Sequence, residues 1–148
     1  LGGGFYATRL YRDLRQKAGY VYTINNALEA GETRATYSIS YGCDPHNVSK
    51  ARVMVEQELR DMQKTNVTPA ELQQAKALLL RQIPLGESSE DALAGGLIGR
   101  ARIGLPLDEP IKAAVRYFSM TADEVRAAFA KHIDPASFAQ IVRGPAPQ

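Results

Sequence analysis

At 148 residues, with 45% apolar and 23% charged residues, the chain has the size and composition of a globular domain with its own core. A net charge of +2 is too small to imply nucleic acid or an anionic membrane as partner, and no apolar run approaches the ~18 residues that cross a bilayer. The single cysteine, Cys43, excludes an internal disulfide and argues against a cysteine-based metal site.

The predicted elements follow in chain order. Gly2, Gly3 and Gly4 lead into a helix over 5–18, with Ala7, Leu10, Leu14 and Ala18 on one stripe. Gly19 can take the left-handed turn that ends it. Residues 20–28, rich in β-branched and aromatic side chains, read as a strand. After a turn over 29–33, residues 35–41 alternate, with Tyr37, Ile39 and Tyr41 on one face, which predicts a hairpin with one buried side. Asp44-Pro45 is a cap followed by a first-turn proline, and Val48, Ala51, Val55, Leu59 and Met62 then keep helical spacing.

Thr68-Pro69-Ala70-Glu71 is a capping box that opens another helix, interrupted or ended by Pro84 and Gly86. A helix over 89–103 contains Gly95, Gly96 and Gly99, which either permit close packing or weaken it. Further helices are expected within 109–120 and after the capping box Thr121 to Glu124, then a closing strand over 136–143. Strands at the two ends with helices between predict an α+β fold, helices packed on one face of a mainly antiparallel sheet. Residues 1–148 are read as a single domain.

Candidate chemistry is sparse. His46 and His132, the only histidines, are far apart in sequence and neither has the neighbours of a zinc helix, so no metal site is expected in this chain. The glycine triplet lacks the Lys-Ser/Thr of a phosphate-binding loop. Arg9, Arg12 and Lys17 give the first helix a basic side, which reads as a solvated face and not as a nucleic-acid surface.

One stretch is more specific. LGGGF, three residues, RL, three residues, LR, three residues, G, two residues and Y, spanning Leu1 to Tyr22, resembles the signature of the non-zinc domain of pitrilysin-type zinc peptidases. The helix start Thr68 to Lys76 and the closing segment Thr121 to Ala146 are similar to later parts of the same domain. The H-x-x-E-H zinc helix of that family is absent from this sequence.

The resemblance implies the later part of a pitrilysin-type domain without its first strands, inactive by itself. It would serve as the substrate-binding and complementing domain of a zinc peptidase. Zinc would be held by a partner domain or subunit, and the substrate would be a peptide. It further implies that Arg15 and Tyr22 contact the substrate and stabilise the tetrahedral intermediate, and that Gly2, Gly3, Gly4 and Phe5 line the substrate chamber. A guanidinium and a phenol O–H suit that role, since both donate to developing negative charge. The alternative within the same fold is a non-proteolytic structural subunit. An exposed sheet edge would favour a homo-oligomer. The alanine- and arginine-rich composition points to a bacterial source and a periplasmic location, with cytoplasm and mitochondrial matrix as alternatives.

Overall fold

The computed structural model describes residues 1, 8–31 and 33–145. The predicted chamber residues Gly2, Gly3, Gly4 and Phe5 lie outside the described residues, as does Ala7. The fold is α+β, as the sequence predicts, with helices and a two-stranded antiparallel sheet among the described residues.

The opening helix is wound differently from expectation. Tyr11–Lys17 is a π-helix, closed by the Ala18 amide donating to Asp13 O at 3.1 Å. The four-residue spacing of Leu10 and Leu14 fits α and π winding alike over so short a run, so periodicity could not separate them. Both leucines are buried. Gly19 ends the segment with φ +65°, a conformation for which glycine carries no Cβ penalty.

Strand β1 spans Thr23–Ala30 and β2 spans Ala35–Gly42. Residues 20–22, predicted to be strand, instead form the return from the helix. The Tyr20 amide bonds Leu14 O at 2.9 Å and so is unavailable to a strand ladder. The hairpin closes through the Gly31 amide on Arg34 O at 2.9 Å. Tyr37, Ile39 and Tyr41 are the half-buried face of β2, in the predicted register.

After a 3₁₀ turn over Pro45–Asn47, helix α1 runs Val48–Lys64 and buries Ala51, Val55, Leu59 and Met62. Helix α2, Pro69–Leu85, begins with the predicted capping box: the Glu71 amide donates to Thr68 Oγ1 at 3.2 Å, and the Thr68 amide to Glu71 Oε2 at 2.8 Å. Pro84 sits inside its last turn, where only one intrahelical bond is lost, and Gly86 is the cap. Helices α3, α4 and α5 span Glu90–Arg102, Glu109–Ser119 and Ala122–His132. A Cβ added at Gly95 or Gly99 would meet nothing within 4 Å, so close packing does not account for these two glycines.

The closing strand over 136–143 does not form. Pro135–Ser137 is a 3₁₀ turn and residues 138–145 are irregular. Ile141 is 93% exposed. β-branched residues favour a strand only when a neighbouring strand supplies the ladder and the packing, and the described sheet holds only β1 and β2.

The chain forms two compact units. The first comprises Leu1–Leu28, Tyr37–Val67 and Asp123–Gln148, and the second Glu29–Thr36 and Thr68–Ala122. In the first, Leu10, Leu14, Val21, Ala51, Val55 and Leu59 form one buried cluster. Tyr37 meets it from the sheet and makes edge-on ring contacts with Phe129 of α5 and Phe138 at 6.4 and 6.2 Å. In the second, α2 and α4 pack together, and Lys76 Nζ donates to Phe118 O at 2.8 Å.

Candidate functional site

The turn after the opening helix gathers the two predicted site residues. Val21 is buried and anchors the return. Next to it, the Tyr22 amide donates to Gly42 O at 2.7 Å, which ties the return to the end of β2. From the opening helix, Arg15 reaches over the turn and donates from Nη1 to Val21 O at 3.1 Å. That bond uses one of the several N–H donors of a guanidinium, and donors remain for a ligand.

Tyr22 is 54% exposed, and its phenol lies within electrostatic reach of the Asp44 carboxylate. Asp44 first, and then partial loss of solvation, push the phenol pKa up; the charge of Arg15 acts in the opposite direction. Arg15, Tyr22 and Asp44 therefore lie close enough to influence one another, all within the first compact unit.

Asp44 is the member that sequence reasoning missed. Asp44-Pro45 reads as a helix cap, yet at this N-cap position the carboxylate makes no capping bond. The 3₁₀ turn is closed by backbone alone, with the Asn47 amide on Asp44 O at 2.9 Å. A capping carboxylate and one set beside a distant phenol have the same sequence signature, so no local signal separates the two.

The surroundings narrow the available chemistry. Cys43 is a free thiol whose pKa is raised by burial and by Asp44, which disfavours the nucleophilic thiolate. His46 is exposed in the 3₁₀ turn and His132 is exposed in the last turn of α5. Among the described residues, no three His, Cys, Asp or Glu side chains are grouped so as to hold a metal ion. An open groove of about 370 Å³ runs over Thr23, Ile24, Asn25, Ser40, Tyr41 and Gly42, directly after Tyr22 and before Asp44 in the chain. No helix among the described residues is long and apolar enough to cross a membrane.

Comparison with known proteins agrees with this architecture. The peptidase M16 inactive domain matches over residues 1–79, the stretch that holds Arg15, Tyr22 and Asp44. The chain belongs to this pitrilysin-type family of zinc-protease-like proteins. It is similar to uncharacterized zinc proteases of Mycobacterium bovis and Mycobacterium tuberculosis, 25% identical over 98% of this chain. It spans 33% of the length of these relatives. The fold is shared with the crystal structure of a peptidase M16 inactive domain from Pseudomonas fluorescens, at a TM-score of 0.78 and 24% identity, over 91% of this chain and 32% of that one. A conserved protein from Enterococcus faecalis superposes at a TM-score of 0.72 and 20% identity, over 86% and 29% of the two chains.

Proposed function

We propose that this chain is the substrate-binding, complementing domain of a zinc metallopeptidase, and that Arg15 and Tyr22 are its contacts to the bound peptide. The convergence of both side chains on one exposed turn carries this reading, since nothing in the hydrophobic core requires them there. The metal would be supplied by another domain or subunit, because the described residues of this chain offer no ligand set for it. Zinc there would supply the hydrolytic chemistry. This chain would bind and orient the peptide, with the guanidinium facing the carbonyl whose oxygen gains charge.

The test is Arg15→Ala in the assembled peptidase with a short fluorogenic peptide. Turnover should fall on the order of 10²-fold, with zinc content and fold unchanged. The loss should fall on kcat at least as much as on KM, since the interaction strengthens as charge develops. Arg15→Lys should rescue only partly, because an ammonium lacks the planar fork.

The bond from Arg15 to Val21 O also supports a second reading, a structural subunit in which the arginine only braces the turn. If Arg15→Ala and Tyr22→Phe both leave kcat/KM unchanged, the structural reading is the better one.

A further inference from the structure

We propose that the π winding at the end of the opening helix is the device that aims Arg15 at the bound peptide. The proposal rests on the peptide-site reading above and names what positions the guanidinium within it.

The backbone bonds show how the winding sets the turn. In an α-helix over these residues, the Ala18 amide would bond the Leu14 carbonyl, four residues back. Here it bonds Asp13 O at 3.1 Å, five residues back. Leu14 O is thereby released from Ala18 and accepts the Tyr20 amide at 2.9 Å. An α-helix ended by a left-handed residue at Gly19 would instead place that amide on Arg15 O. The return from the helix is therefore set back by one residue, with Val21 O 3.1 Å from Arg15 Nη1.

Neither end of that contact is free to drift. Val21 is wholly buried, and the next amide, that of Tyr22, is tied to Gly42 O at 2.7 Å. Leu10 and Leu14 are wholly buried in one cluster with Ala51, Val55 and Leu59, so the helix cannot rotate to re-aim Arg15 without disturbing the core. Asp13 pairs with Lys17 at 2.8 Å across the wide turn that contains Arg15. The guanidinium thus rests on a fixed carbonyl through one N–H, and others remain for a peptide C=O. π winding is rare and recurs at functional sites. A helix that only covered the core with Leu10 and Leu14 would have no use for it, since α winding presents the same pair on one face.

Removing one residue from the wide turn tests the winding apart from its bonds. With Gln16 deleted, Ala18 and Asp13 are four residues apart and Tyr20 and Leu14 are five, the spacings of an ordinary α-helix end. Gln16 is exposed, so the shortened chain can keep the same backbone partners and should keep its circular dichroism. In the assembled peptidase with a short fluorogenic peptide, the deletion should lower kcat on the order of 10-fold, with KM less affected. Gln16→Ala, which keeps the length, should leave kcat unchanged. In an Arg15→Ala background the deletion should cost nothing further. An unchanged kcat on deletion, or an equal loss with and without the guanidinium, overturns the aiming role. A loss in Arg15→Ala with none on deletion fails this proposal alone; no loss in Arg15→Ala fails the peptide-site reading and the proposal with it.

If the shortened chain does not fold, the contact is read by NMR in the 148-residue chain, with the Arg15 guanidinium N–H signals assigned by their loss in Arg15→Lys. Gly19 has φ +65°, which asparagine tolerates and valine does not. Exchange of these protons with water should be on the order of 5-fold slower in the wild type and Gly19→Asn than in Gly19→Val. Equal exchange in all three overturns the aiming role.

Discussion

The two compact units are built by different means. The first closes a core in which Leu10, Leu14, Val21, Ala51 and Leu59 are almost wholly shielded from water. In the second, no described side chain is buried, although Leu85, Ile98, Leu107, Ile111, Val115 and Phe118 are all large and apolar. Its helices are sustained by local devices: the Thr68 capping box, the Ser89 cap, and ion pairs such as Lys112–Asp108 and Arg116–Glu109. Exposed ion pairs contribute little, typically under about 1 kcal/mol. The difference teaches where rigidity is available. Arg15, Tyr22 and Asp44 sit on the unit with the core, so the site has a firm foundation.

The largest effect should come from hollowing that core. Leu14 is 0% exposed, so Leu14→Ala loses its transfer free energy and leaves a cavity, at a cost of about 2–5 kcal/mol. Urea denaturation of the two proteins measures this. A cost below about 1 kcal/mol would mean that the first unit is not close-packed and that the contrast with the second is false.

Next in size is the capping box of the second unit. Thr68→Ala removes the acceptor of the Glu71 amide and should cost about 1 kcal/mol. Because the second unit relies on such local bonds, the loss should appear as faster amide exchange at the start of α2, with α1 unaffected. Loss of protection in α1 as well would show that the two units unfold as one.

How much could be read from sequence follows the same division. The stripes Leu10/Leu14 and Ala51/Val55/Leu59/Met62, the inward Tyr37, Ile39 and Tyr41, and the Thr68 capping box were legible because each is a short-range pattern set by helix or strand geometry. The π winding was not, since the leucine spacing serves either helix. The strand over 136–143 was overread, because its residues favour a ladder that the described sheet does not provide. Within the candidate site, Arg15 and Tyr22 came from the Leu1 to Tyr22 signature. Asp44 is brought toward Tyr22 by the backbone bond from Tyr22 to Gly42 O, a pairing of segments distant in sequence that no local pattern encodes.

A smaller effect concerns pH and the join between the opening helix and α1. Asp13 is hydrogen-bonded by Arg12 and Lys17, and its pKa lies well below the usual carboxylate range, chiefly because of Arg12. Glu58 of α1 lies within electrostatic reach of Asp13, and its pKa is raised, first by burial and then by the Asp13 charge. The signs oppose. Asp13 contributes stability above its ordinary 3.8 that is lost as pH falls. Glu58 holds its proton longer in the folded state, so stability declines as pH rises from its ordinary 4.5 through its higher folded value. Glu58→Gln removes the charge at similar size and shape. It should flatten that decline and raise stability at neutral pH by on the order of 0.5 kcal/mol. Denaturation midpoints of both proteins across pH 4–8 check it, and an unchanged slope would remove Glu58 as its source.

The smallest expected effect is the one that most directly probes the comparison. Ile111, Val115 and Phe118 follow one another at helical spacing along α4 and are 70%, 65% and 77% exposed. Apolar side chains contribute to stability in proportion to the area they remove from water. Here little area is removed, so replacing all three with glutamine should change the denaturation midpoint by no more than about 0.5 kcal/mol per site. Glutamine also keeps good helix propensity, so α4 itself should persist in circular dichroism. The triple change should equal the sum of the three single ones, with no coupling among the sites. A loss of several kcal/mol in the 148-residue chain would show that the α4 stripe is covered in solution and that the second unit has a core of its own. Solubility adds a direction to the same measurement. A contiguous exposed apolar stripe promotes association, so the triple variant should sediment as a smaller species than the wild type at equal concentration.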